Sequence, residues 1–193
     1  CTGSTNSIFN FVPAEGATNW LVSRNAGTFD LGAVSGGPGV LDQQGSGSGT
    51  VTWSVGALNT NTTFTGRFQD AASTRITAIT KVGTGTWTLS DVAFVNKGAL
   101  TVSNGVLAFV ADTAISPNNS AVVVASPGVL DLSGATSPTL QLGSETATQT
   151  LRGDGSVVGS VVLGANGRLE PGFSIGTLTV SGGTVTLNGT TVM

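Results

Sequence analysis

A five-residue unit recurs along this chain: glycine, any residue, an apolar residue, a residue that is usually polar, and a second apolar residue. It reads GTFDL from Gly27, GTVTW from Gly49, GTWTL from Gly85, GALTV from Gly98 and GVLAF from Gly105. It returns as GVLDL from Gly128, GTLTV from Gly176 and GTVTL from Gly183, with degenerate copies GVLDQ from Gly39 and GRLEP from Gly167. In extended backbone the side chains alternate with a period of two, so the third and fifth residues share a face and the fourth turns away. The glycine ahead of each run permits a bend that most residues resist. Apolar runs are four to seven residues long, rich in Val, Thr, Leu and Ile, and broken by Gly, Asn, Ser and Pro. No stretch carries the 3.6-residue period of an amphipathic helix, so the chain reads as all-β.

Spacing decides which all-β architecture is expected. Asn104-Gly105, Asn166-Gly167 and Asn188-Gly189 would suit hairpins and a sandwich. Against that, the steps from Gly27 to Gly49 and from Gly105 to Gly128 are nearly equal, and each has the length of one turn of a three-sided solenoid. Close pairs seven residues apart, Gly98 with Gly105 and Gly176 with Gly183, give two strands of one turn joined by a sharp corner. The expected fold is a right-handed parallel β-helix of about eight or nine coils over residues 27–193, with residues 1–26 as a lead-in or capping segment. The inward ladders should contain Leu89, Leu100, Val102, Leu107, Leu130, Leu132, Leu178, Val180, Val185 and Leu187. Trp53 and Trp87, at fifth and third unit positions, belong with them.

Composition excludes several functions. The 193 residues carry 9% charged side chains, against roughly 25% in an ordinary globular domain, and a net charge of −3 with seven Lys and Arg. Nucleic-acid binding needs a basic footprint that is missing here. Runs such as AVVVA, from Ala121 to Ala125, fall well short of a membrane helix. There is no histidine, and the lone cysteine, Cys1, permits neither an internal disulfide nor a zinc site. Cys1 is followed by small polar residues, CTGSTNS, as in a lipoprotein after signal cleavage, which makes it the candidate for lipidation.

Two short motifs compete with a purely structural reading. GFSIG, residues 172–176, matches the nucleophile elbow around Ser174, but a triad cannot form without histidine, and the motif reads as a corner. Arg152-Gly153-Asp154 matches a cell-adhesion tripeptide, with its glycine in an L-x-G-x-G-x-V pattern. Asp30, Asp42, Asp131 and Glu170 share the outward fourth position of their units, where a polysaccharide-degrading β-helix would need them clustered. Spread along the chain, they read as solvent-facing charges that keep the solenoid soluble. The two lysines likewise read as ordinary solenoid positions. Thr-x-Thr copies at Thr50, Thr86, Thr177 and Thr184 recur too irregularly for an ice-binding array.

The stretch ITKVGTGTWTLSDVAFVNKGALTVSNGVLAF, from Ile79 to Phe109, resembles the autotransporter-associated β-strand repeat of bacterial passenger domains. Thr80, Lys81, Gly83, Gly85, Leu89 and Ser90 match its opening, and Gly98, Leu100 and Val102 match its second strand. DVAFVNK stands where that family carries an aromatic-Thr-Gly loop. The resemblance extends over roughly Gly27 to Met193. It implies a secreted, surface-displayed β-solenoid stalk, with no catalytic residues to carry over. No cofactor is expected, and a calcium-stapled roll is not expected either, since tandem G-G-x-G-x-D repeats are missing from the sequence. A surface adhesin that binds glycans or a cell partner through its outward faces is the alternative, and a polysaccharide-degrading enzyme the third. Neither end shows a convincing polar cap, and Ile8, Phe9, Phe11, Val12, Trp20 and Leu21 make residues 1–26 too apolar for a free tail. The expectation is end-to-end self-association or continuation of the same solenoid.

Overall fold

The computed structural model describes residues 3–44, 47–116, 118–173 and 176–192, and among them it holds nineteen strands and no helix. The first coil carries β1 (Gly3–Phe11) and β2 (Asn19–Ser23), and the second is one long bent strand, β3 (Gly27–Gln43). The third carries β4 (Gly49–Val55) and β5 (Thr62–Gln69), the fourth β6 (Arg75–Lys81) and β7 (Thr86–Val95), the fifth β8 (Leu100–Val102) and β9 (Val106–Ala111). Later coils split into three strands. The sixth has β10 (Ala121–Val124), β11 (Val129–Ala135) and β12 (Thr139–Leu142). The seventh has β13 (Gln149–Gly153), β14 (Ser156–Val158) and β15 (Ser160–Leu163). The eighth has β16 (Gly167–Pro171), β17 (Thr179–Ser181) and β18 (Val185–Leu187), and β19 (Thr190–Thr191) stacks on β16.

Every strand pairs in parallel with the strand one coil away, giving a right-handed parallel β-helix of about eight turns. The first face runs from the start of β3 through β4, β6, β8, β10, β13, β16 and β19. The second runs from β1 through the middle of β3 to β5, β7, β9, β11, β14 and β17. On the third, β2 pairs with the end of β3, and β12, β15 and β18 form a separate three-stranded sheet. The paired unit glycines of the sequence are the two-strand turns expected: β8 and β9 follow Gly98 and Gly105, and β17 and β18 follow Gly176 and Gly183.

The third and fifth residues of the repeat line the interior. On the first face Phe29, Trp53, Ile79, Leu100, Val122, Leu151 and Leu169 stack in register. On the second, Trp87, Leu107, Leu130, Val157 and Val180 do the same. Phe11, Phe64, Phe68, Trp87, Phe94 and Phe109 join into one aromatic column, with neighbouring ring centroids 5.0 to 6.2 Å apart. Such stacking buries large apolar area and adds edge and offset ring contacts. Leu89, Leu100, Val102, Leu107, Leu130 and Leu132 are all buried.

The other four expected core residues differ. Leu178 and Val180 are partly buried against the core, while Val185 is 48% and Leu187 46% exposed. Their register is inward: Val185 stacks on Val161 and Leu187 on Leu163, both buried. Within the described residues they have a coil on one side only, and a ladder position needs one on both sides to lose its water. Within the lead-in segment β1 and β2 both pair with β3.

Candidate functional site

Corners, rather than faces, hold most of the polar chemistry of this molecule. The strand RITAITK alternates Thr77, Ile79 and Lys81 on one side, and all three are buried. Lys81 therefore lies inside, in a ladder position that Val55, Val102 and Val124 fill in neighbouring coils. An ordinary solenoid position was the expectation for it, with no direction given, and the parity of the strand was the available signal that it points inward. Its Nζ donates to the carbonyls of Val82 and Gly83, both at 2.7 Å, and to that of Asn104 at 3.2 Å. Burial lowers its pKa from 10.5 to about 8. The ammonium closes a corner where carbonyls would otherwise lack donors.

The turn from the third face back to the first is closed by amides. Asn96 Nδ2 donates to Thr77 O and Asn119 Nδ2 to Gly98 O, each at 2.6 Å. Gln149 Nε2 donates to the carbonyls of Ser116 and Asn119, and its Oε1 accepts from Gly143 N. Asp70 serves the same turn, accepting from the amides of Thr77 and Lys97, while burial pushes its pKa up. These buried side chains satisfy backbone groups that the corners leave unpaired.

The carboxylates of the repeat do not converge. Asp30 and Glu170 lie on the first face, Asp131 on the second and Asp42 on the third. Asp42 is buried rather than solvent-facing, and its Oδ2 accepts from Gln69 Nε2 and Gln44 Nε2. The physical reason is the pair of glutamine side chains, Gln44 and Gln69, that reach over it, since Asp131 also has a strand on each side and is only partly buried. Glu170 pairs with Arg168. Among the described residues, no group of three or more Asp, Glu, His or Cys comes together to hold a metal.

Gly153 ends β13, with φ at +119° and Val124 O where a Cβ would fall. The Asp154 carboxylate accepts from Ser126 N at 2.8 Å, so this acid caps the neighbouring coil. Arg152 is exposed on the first face beside Glu170. Ser174 and Cys1 lie outside the described residues. The Thr-x-Thr copies fall on different faces: Thr50 and Thr52 on the first, Thr86 and Thr88 on the second, Thr186 on the third.

Two hollows remain. A shallow one of about 220 Å³ is lined by Phe9, Asn10, Phe11, Asn19, Trp20 and Leu21. Trp20 is 44% exposed, with the Arg67 guanidinium 5.7 Å from its ring centroid. The larger is a cleft of about 530 Å³ on the third face. It opens where the fifth and sixth coils part. Thr136 N still donates to Ala111 O, but beyond that point Ala114 pairs back with Ala93 of β7 while β12 pairs forward with β15. The coils rejoin where Gln149 reaches Ser116 O. Asp112, Ile115, Thr139, Gln141, Ser144 and Glu145 are among its lining residues. Nothing in the sequence pointed to this cleft.

Comparison with protein-family models, curated proteins and solved structures finds no match to this chain.

Proposed function

We propose that the chain is a non-enzymatic structural segment of an extracellular bacterial surface stalk or fibre, of the autotransporter-passenger kind its repeat resembles. The observation that carries this reading is the inward ladder of the first face, apolar at every rung from Phe29 to Leu169. Apolar and aromatic side chains stack in register from the second coil to the seventh, and the buried Lys81, Asn96, Asn119 and Gln149 donate to corner carbonyls, while the Gln43 amide is buried without a partner among the described residues. Stacked coils spaced about 4.8 Å apart make a rod of roughly 40 Å over eight turns, which is a direct way to build length from a low-charge chain. Self-association end to end belongs to the same proposal. Ile8, Val12, Trp20 and Val22 are exposed on the first coil, and Phe173, Val185, Leu187 and Val192 on the last described ones. A second copy stacking there would cover apolar surface and pair strand edges. Sedimentation velocity tests it: mass should rise with concentration into unbranched rods visible by electron microscopy. A compact monomer at high concentration would contradict it.

One observation favours a second reading, a surface adhesin for glycans. The hollow at Trp20 sets a half-exposed indole beside the Asn10 and Asn19 side chains, and aromatic faces with amides suit sugar rings. Glycan-array binding that disappears in Trp20→Ala supports this reading, and an array with no binding removes it.

A further inference from the structure

The cleft between the fifth and sixth coils is bounded by an open strand edge. In the three-stranded sheet, β12 pairs with β15 and has no strand on its other side among the described residues. The carbonyls of Pro138 and Leu142 turn toward the seventh coil, accepting from the amides of Ser160 and Gly164. Alternation along the strand therefore turns the Thr139 carbonyl, and both main-chain groups of Gln141, toward the cleft. The opposite wall, residues 111–115, is held away by the pairing of Ala114 with Ala93 and by Thr113, whose hydroxyl donates to Leu89 O and accepts from Val92 N. The third face is thus a sheet with a strand's worth of edge left open inside the molecule.

We infer that this cleft takes up an extended peptide carrying basic side chains, added as a strand on the open edge of β12. Two features select this occupant. Main-chain donors and acceptors on an unpaired edge are matched by another backbone with little demand on its sequence. The charges in the lining are the exposed carboxylates of Asp112 and Glu145, neither in an ion pair among the described residues, and no cation lines the cleft. A peptide with Arg or Lys at its ends answers both. A sugar is disfavoured because no aromatic ring lines the cleft. This inference stands apart from the stalk proposal, since a rod that binds no peptide and a peptide-binding domain that forms no rod are both distinguishable outcomes.

The test is amide chemical-shift mapping of the intact chain titrated with short alternating Thr-Val peptides. The probes are one with Arg at both ends, one with Glu at both ends, Arg-ended versions N-methylated at every second amide in each register, and a neutral linear oligosaccharide. The Arg-ended peptide should shift the amides of residues 113–115 and 139–145, and N-methylation in at least one register should weaken it by about tenfold. Asp112→Asn and Glu145→Gln should each weaken binding by about two- to fivefold at low salt without changing the melting temperature, as exposed charge pairs do. The inference is overturned if millimolar Arg-ended peptide leaves those amides unmoved. It is also overturned if the Glu-ended or both N-methylated peptides bind equally well, or if the oligosaccharide alone shifts the site.

Discussion

At Lys81 an ammonium sits where neighbouring coils place valine, and its energetics follow from that exchange. Burial holds its pKa near 8, against 10.5 for the free side chain. Between those values the unfolded chain keeps the proton and the folded chain releases it, so the unfolded state binds more protons and stability rises with pH. Below about pH 8 both states are charged and that gain is absent. Denaturant melts from pH 7.5 to 10.5 should therefore show a rising midpoint, and Lys81→Met should remove the rise. Lys97→Met, at an exposed position, should retain it. Gly66 gives a second test at this scale. Its φ is +135°, and a Cβ there would fall 2.0 Å from Gly39 O in the adjacent coil. Gly66→Ala should cost on the order of 2–3 kcal/mol in the same melts, from strained backbone and a carbonyl that must move.

Strands show which parts of the fold were readable in advance. Burial of Trp53, Trp87, Leu100 and Leu107 follows from the repeat alone, because period-two alternation is local and every strand has a neighbour to stack on. The same parity places Lys81, Thr77 and Gln43 inside, although all three are polar. Val185 and Leu187 obey the parity but stay exposed, since burial also requires a coil on each side. Leu107→Ala should thus cost about 2–5 kcal/mol and Leu187→Ala roughly 1 kcal/mol, read as a shift in urea midpoint. The cleft lay beyond sequence reasoning because it depends on coils of unequal length. Val102 meets Val124 one coil on, but Val122 meets Leu151, a distinctly longer step along the chain. The extra chain of the sixth coil separates β12 from the segment around Ala114, and no local pattern records that mismatch.

Across the whole molecule each coil touches chiefly the coils beside it, so stability is distributed by neighbour count. Hydrogen exchange should be slowest in the coils from β4 to β13, where the buried ladders run on both sides, except along the open edge of β12, and fastest in β1, β2, β18 and β19. Uniform protection from end to end in a dilute monomer would contradict the one-sided stacking of Val185 and Leu187.

Coil length has a mechanical meaning as well. The strands lie across the long axis and their hydrogen bonds run along it, so tension applied between the ends loads one rung at a time. A coil whose rung fails is released whole. The stretch from Leu151 to its partner Leu169 is short, that from Phe29 to Trp53 is longer, and that from Val122 to Leu151 is longer still. At about 3.6 Å of contour per residue these are steps of roughly 65 to 105 Å. Pulled at low force, the molecule should unspool as a staircase of unequal treads, and the order of long and short treads would report the end from which it unwound.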